Sequence, residues 1–194
     1  MKTPKFMVFW VCLALAIFTS SATHSQSHEE PKLSTDKLED EFLGLHLGCS
    51  LEELQGALKK STNPIKLIKK DVVDGMTTYF YSGNHRLNGA TGTSFSFWDG
   101  KLSVVTVFFK TEEAAKIYDA LKMKMEEKYA KMNNGIKFSG KKCTLIKGGM
   151  HFSLELETNP LEADTVLLVA AHLGIMAAKE AKEVEKKAKD LGNL

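Results

Sequence analysis

Two alternating apolar runs, TSFSFW from Thr93 and KLSVVTVFF from Lys101, meet at Asp99-Gly100. That dipeptide favours a two-residue turn with both central residues at positive φ, whose twist suits a β-hairpin. The register sets Phe97 opposite Leu102 and Phe95 opposite Val104 on one side. Ser96, Trp98, Lys101 and Ser103 take the other side. The period changes after Phe109: in KTEEAAKIYDALKMKMEEKYAKM, residues Ala114, Tyr118, Leu121, Met125 and Tyr129 recur at helical spacing. Thr111 suits the cap, and Glu112 and Glu113 suit the positive end of that helix. A hairpin with one apolar face, followed by an amphipathic helix, is the core unit of an α+β domain.

Upstream, Leu43, Leu45 and Leu47 alternate as in a short strand, and Gly48 breaks it. Ser50 and Glu53 then form a capping box over a helix carrying Leu51, Leu54 and Leu58. The stretch Ile65 to Tyr81 reads as a hairpin turning at Asp74-Gly75. Between Ser82 and Gly92 the glycines have the wrong spacing to cradle a phosphate. His85 and Arg86 are the residues of that loop with chemistry suited to a ligand.

Downstream, Asn133-Asn134-Gly135 ends the long helix. KCTLIKGGMHFSLELE folds back at Gly148-Gly149, setting Leu145 against Phe152, Cys143 against Leu154 and Lys142 against Glu155. TVLLVAA from Thr165 is apolar on both faces and therefore belongs in a central position. In the C-terminal helix, Ala177, Ala181, Val184, Ala188 and Leu191 make a narrow stripe, expected to pack across the domain's own sheet, with a coiled-coil partner as the alternative. The fold class is α+β: a single mainly antiparallel sheet of about six or seven strands, helices packed on one face, and a C-terminal helix. The order of helix and strands suggests two diverged helix-then-strands units.

The N-terminus alters the charge balance. Lys2 and Lys5 precede an apolar run from Phe6 to Phe18 and the small residues TSSAT, as in a signal peptide over residues 1–22 cleaved after Ala22. Cleavage after Ser25, or an uncleaved anchor, is the competing reading. Of 26 basic and 24 acidic residues, two lysines leave with the signal, so the mature chain carries 24 of each. No basic surplus remains to drive phosphate contacts, which argues against a nucleic-acid partner. Once the signal is removed no transmembrane span is expected. Residues 23–41 are polar enough to be a flexible leader, and 42–194 make one α+β domain.

Candidate chemistry is sparse. Cys12 leaves with the signal, so Cys49 and Cys143 could form one disulfide in an oxidising compartment, or Cys143 could be a buried thiol beside Leu145. Cys49 stands at a helix start, which favours a thiolate, but no local signature pairs it with His46, His151 or His172. His46-x-x-Cys49 is half a metal site. The paired glutamates sit where helix starts and solvated faces want charge. No catalytic residue, metal site or cofactor is therefore assigned. The aromatic groups Trp98, Tyr79 and Tyr81 are the candidate interaction surface.

The glycine-then-capped-helix opening, Gly48, Ser50 and Glu53 within residues 43–60, resembles small bacterial envelope domains of the outer-membrane assembly lipoprotein and β-lactamase-inhibitor-like types. That resemblance implies helix-then-strands units. The sequence thus leads to an exported, non-enzymatic binding or adaptor protein, secreted or periplasmic, whose partner is a protein or other macromolecule of the envelope or exterior. The alternatives are a small-ligand protein with a cavity lined by Phe95, Phe97 and the helix methionines, and then a thiol-dependent enzyme.

Overall fold

The computed structural model describes residues 41–60, 65–83, 87, 89–129, 136–158 and 162–192. The expected signal peptide, nearly all of the leader, and His85 and Arg86 lie outside the described residues. The chain enters through a two-stranded hairpin, β1 (Glu41–Phe42) and β2 (Leu45–His46). Where one short strand was expected over 43–47, Leu43 and Gly44 take φ of 55° and 71° and fold the segment back on itself. Helix α1 (Leu51–Lys59) follows, started by the expected capping box. The Glu53 N–H donates to Ser50 Oγ at 3.2 Å, and the Ser50 N–H to Glu53 Oε2 at 2.7 Å.

Two four-stranded meanders build the main sheet. The first is β3 (Lys66–Val73), β4 (Met76–Ser82), β5 (Gly92–Trp98) and β6 (Lys101–Lys110). After helix α2 (Ala114–Tyr129) comes the second: β7 (Lys137–Ser139), β8 (Lys142–Lys147), β9 (Met150–Glu157) and β10 (Thr165–His172). Helix α3 (Leu173–Gly192) closes the described chain. β6 and β10 pair antiparallel at the centre, giving the eight-strand order β3-β4-β5-β6-β10-β9-β8-β7. Helix-plus-four-strands thus occurs twice, the halves meeting at β6 and β10. The extra strand over the sequence expectation is β7, three exposed residues with no apolar alternation to announce it.

The hairpin registers follow the sequence closely. Phe97 faces Leu102, Leu145 faces Phe152, Cys143 faces Leu154, and Lys142 meets Glu155 at 3.4 Å. One register differs: Phe95 lies opposite Val105, not Val104. The shift falls beyond Ser96, where a bulge places an extra residue on β6. There the Ser103 hydroxyl donates to the Ser96 carbonyl at 2.9 Å.

The strand pairing defines two faces. The first gathers Tyr81, Phe95, Phe97, Val105, Val107, Leu154, Leu168 and Ala170 into the main core, closed by Leu54 of α1 and by Ala114 and Tyr118 of α2. The expected α2 stripe is the buried one, with Leu121 and Met125 at its margin. The second face carries Met76, Val104, Leu167 and Ala171, buried but outside that core, together with Thr78, Ser94, Ser96 and Ser153. Helix α3 meets β6 and β10 on this second face, so the helices flank the sheet on both sides rather than one. Its sheet-facing residues are Met176 and Lys179, both buried. Ala177, Ala181, Val184 and Ala188 are exposed, so the stripe expected to pack on the sheet points away from it. A long lysine stem buries about as much apolar surface as a methionine, and an apolarity count therefore misses Lys179.

Candidate functional site: the outer edge of β3

Strand β3 ends the sheet, and among the described residues it pairs on one side alone, with β4. Asp74 and Gly75 at φ 49° and 72° make the two-residue turn between them. In such a hairpin the residues flanking the turn exchange both backbone hydrogen bonds, here Val73 with Met76. Counting back along the ladder, Lys69, Asp71 and Val73 bond inward to β4. The N–H and C=O groups of Lys70 and Val72 therefore point to the outer side. A bulge between Leu67 and Lys69 leaves Ile68 without an opposite residue and five regular positions from Lys69 to Val73.

Most of the large apolar side chains that remain exposed lie at the two ends of the sheet. On β3, Leu67, Ile68 and Val72 are 47%, 66% and 64% exposed. Val72 and Lys70 share the core face with Thr77 and Tyr79 of β4, and the Lys70 ammonium lies 5.5 Å from the Tyr79 ring centre. Lys69 pairs with Asp71 at 2.5 Å on the other face. Three lysines against one aspartate, Lys66, Lys69 and Lys70 with Asp71, make the strand net positive. The opposite edge is less suited to docking. β7 is short, Phe138 lies under the Lys122 ammonium at 4.7 Å, and Ile146 projects from the other face.

The three aromatic candidates do not form one surface. Tyr79 is half-buried at the β3 margin, edge-on to Phe97 at 5.8 Å. Tyr81 is buried, edge-on to Phe95 at 5.6 Å. Trp98 lies on the opposite face, where the Lys182 ammonium of α3 sits 4.9 Å from its ring. Strand parity separates them: Tyr79 pairs with Phe95 and Tyr81 with Thr93, while Trp98 pairs with Met76. What the sequence reading missed is that β3, expected as the first arm of the hairpin over Ile65 to Tyr81, is the edge of the sheet.

The cysteines are both free thiols, so the disulfide is not formed. Cys49 continues the line of β10 beside β6: the Gly48 N–H donates to the Leu102 carbonyl at 2.7 Å, and the Leu102 N–H to the Cys49 carbonyl at 2.8 Å. Cys143 lies on β8, two strands away, or roughly 10 Å at about 4.8 Å per strand, before any offset along the strands is added. A bridge needs Cα atoms within about 7 Å. Burial, and then the Glu53 carboxylate of the capping box, push the Cys49 thiol up, against the thiolate expected at a helix start. Burial pushes Cys143 up as well, with Glu126 adding to it. A raised thiol pKa works against the thiolate that a cysteine nucleophile needs. Among the described residues no group of three His, Cys, Asp or Glu side chains is placed to hold a metal ion, and no helix is long and apolar enough to cross a membrane.

No protein-family model, curated protein or solved structure matches the chain.

Proposed function

We propose that this is an exported, non-enzymatic binding protein, secreted or periplasmic, that engages another protein or macromolecule through exposed sheet surface at β3. One observation carries the reading. The described part of the chain buries Tyr81, Phe95, Phe97, Phe109 and Phe152 of its hairpins and most of its aliphatic residues, yet leaves Leu67, Ile68 and Val72 exposed on a single edge strand. An exposed apolar edge invites strand pairing and is a liability unless it serves an interaction. The raised thiols of Cys49 and Cys143 weigh against the thiol-enzyme alternative. The packing of Phe95 against Tyr81 and of Phe97 against Tyr79, with Met123 exposed, weighs against the small-ligand alternative.

The test is crosslinking in place. The mature chain carries a photo-crosslinking residue at position 72, with position 177 on exposed α3 as control, and is illuminated in extracts of envelope and of culture fluid. The reading expects one saturable adduct from position 72 and none from 177. Adducts from 177 alone, or turnover of a substrate by the purified protein, would remove it.

A further inference from the structure

Helix α3 is held to the sheet by different means from α1 and α2, and it covers a different face. We infer that α3 is a strap: from Met176 onward it releases from the second face as a unit while the sheet stays folded, and the release uncovers Trp98 and the sheet beside it. The inference concerns the second face and stands apart from the binding role proposed for β3.

Little apolar surface holds the helix down. α3 runs for 20 residues, yet of its described side chains only Met176 and Lys179 are buried. Every side chain from Val184 to Asp190 is exposed. By contrast, α1 and α2 close the main core with Leu54, Ala114 and Tyr118. One of the two buried groups on α3 is moreover an ammonium: Lys179 donates to Glu183 one turn on. Desolvating an ion pair offsets much of the attraction within it, so this contact sets where the helix lies more than how firmly it is held. A further tether is Lys182, 4.9 Å from the Trp98 ring centre and 3.5 Å from Asp99. Both charged groups are mostly exposed, and such a pair contributes little.

The start of the helix is held differently. The Leu173 N–H donates to the Gly149 carbonyl at 2.7 Å, the Ile175 N–H donates to His172 Nδ1 at 3.3 Å, and the Ile175 side chain lies beside Gly48. This first turn is the pivot, and the exposed Gly174 within it can absorb a change of backbone angle. The sheet beneath is paired without help from the helix. β6 lies between β5 and β10, and β10 between β6 and β9. Hydroxyls of that face bond within the sheet: Thr78 Oγ1 lies 2.9 Å from Ser96 Oγ, and Ser103 Oγ donates to the Ser96 carbonyl at 2.9 Å. Release therefore leaves those groups satisfied and returns the Lys179 ammonium to water. Trp98, half-buried beneath Lys182, gains solvent. The β3 edge is open in both states, whereas the Trp98 surface opens with α3.

Native-state hydrogen exchange on the full mature chain, over urea concentrations below the unfolding transition, reads the release directly. A helix of this length is marginal on its own, so its amides exchange once it leaves the sheet. The amides of Lys179 to Val184 should share one opening constant, about tenfold or more above that of β6 and β10. Its urea dependence should be slight, because little surface is exposed. A second readout follows the face itself. Val104→Cys, in a chain carrying Cys49→Ser, puts a thiol on the buried second face of β6. Alkylation should trap that thiol at the opening constant of the α3 amides. Glu183→Gln leaves the buried ammonium uncompensated and should raise the constant about 100-fold. Lys182→Gln, acting on the exposed tether, should raise it about threefold and replaces Glu183→Gln if that variant fails to fold.

Exchange of the α3 amides at the rate and urea slope of β6 and β10 would overturn the strap, because the helix would then leave only with the whole fold. Fast α3 exchange beside a thiol at position 104 that stays unreactive would overturn it as well, since the helix would fray in place and uncover nothing. An opening constant unchanged by Glu183→Gln and by Lys182→Gln alike would remove both tethers, and the strap with them.

Discussion

Glu157 gives the sharpest quantitative test of the fold. It lies on the second face of β9, half-buried, two residues from Glu155. Burial, and then the negative charge of Glu155, push its carboxyl up from the ordinary 4.5 to about 7. Between those values the folded protein binds a proton that the unfolded chain does not. The stabilisation is therefore fully present below about pH 4.5 and is lost as pH rises through about 7. At 1.36 kcal/mol for each pH unit this is nominally about 3 kcal/mol. Glu157 keeps contact with solvent, and screening reduces it to about 1 kcal/mol.

Glu157→Gln, which imitates the protonated carboxyl at every pH, should match the parent near pH 4.5 and exceed it by about 1 kcal/mol near pH 8. In urea melts the gap should open between those limits, with a melting midpoint about 2–4 °C higher for the variant at the alkaline end. His151 slopes the other way: burial and then Lys142 hold its imidazole below 6.5, so its contribution is present above that value and fades as pH falls. His151 is common to both proteins and largely cancels in the difference. Parallel stability curves, or a variant that grows relatively weaker with rising pH, would refute the placement of Glu157.

The remaining expectations are smaller. Lys179, 1% exposed on α3, donates to Glu183. Glu183→Gln should destabilise by about 3 kcal/mol by leaving a buried ammonium uncompensated, and Lys179→Met should cost far less, both read from urea midpoints. Thr93 Oγ1 is buried without a hydrogen-bond partner among the described residues, so Thr93→Val should stabilise by about 1 kcal/mol in the same assay. Ser50→Ala should lose about 1 kcal/mol by removing the α1 cap. Mass spectrometry after alkylation near neutral pH should find Cys49 modified more slowly than a free thiol and Cys143 only in denaturant.

Much of the fold is legible in the sequence because local chemistry fixes it. Asp74-Gly75, Asp99-Gly100 and Gly148-Gly149 set three hairpin registers, and the capping box sets the start of α1. The misreadings share a cause. The Ser103 bulge is a one-residue slip that alternation alone cannot show. The side of α3 depends on which face of the sheet remains uncovered, and its alanine stripe is the more apolar face yet the outer one. The candidate site was barely legible. Trp98 draws attention by residue type, but its strand parity turns it away from Tyr79 and Tyr81. The sequence of β3 shows that it is a strand, and only the strand order shows that it is an edge.

Residue-resolved hydrogen exchange by NMR tests the β3 account most directly, on the mature protein alone and with the partner captured through position 72. Alone, the amides of Lys70 and Val72 should exchange fast beside slower Lys69, Asp71 and Val73. With the partner bound, Lys70 and Val72 should gain the largest protection in the protein. Protection confined to α3 or the second face, with Lys70 and Val72 still exchanging freely, would contradict the assignment of β3 as the binding edge.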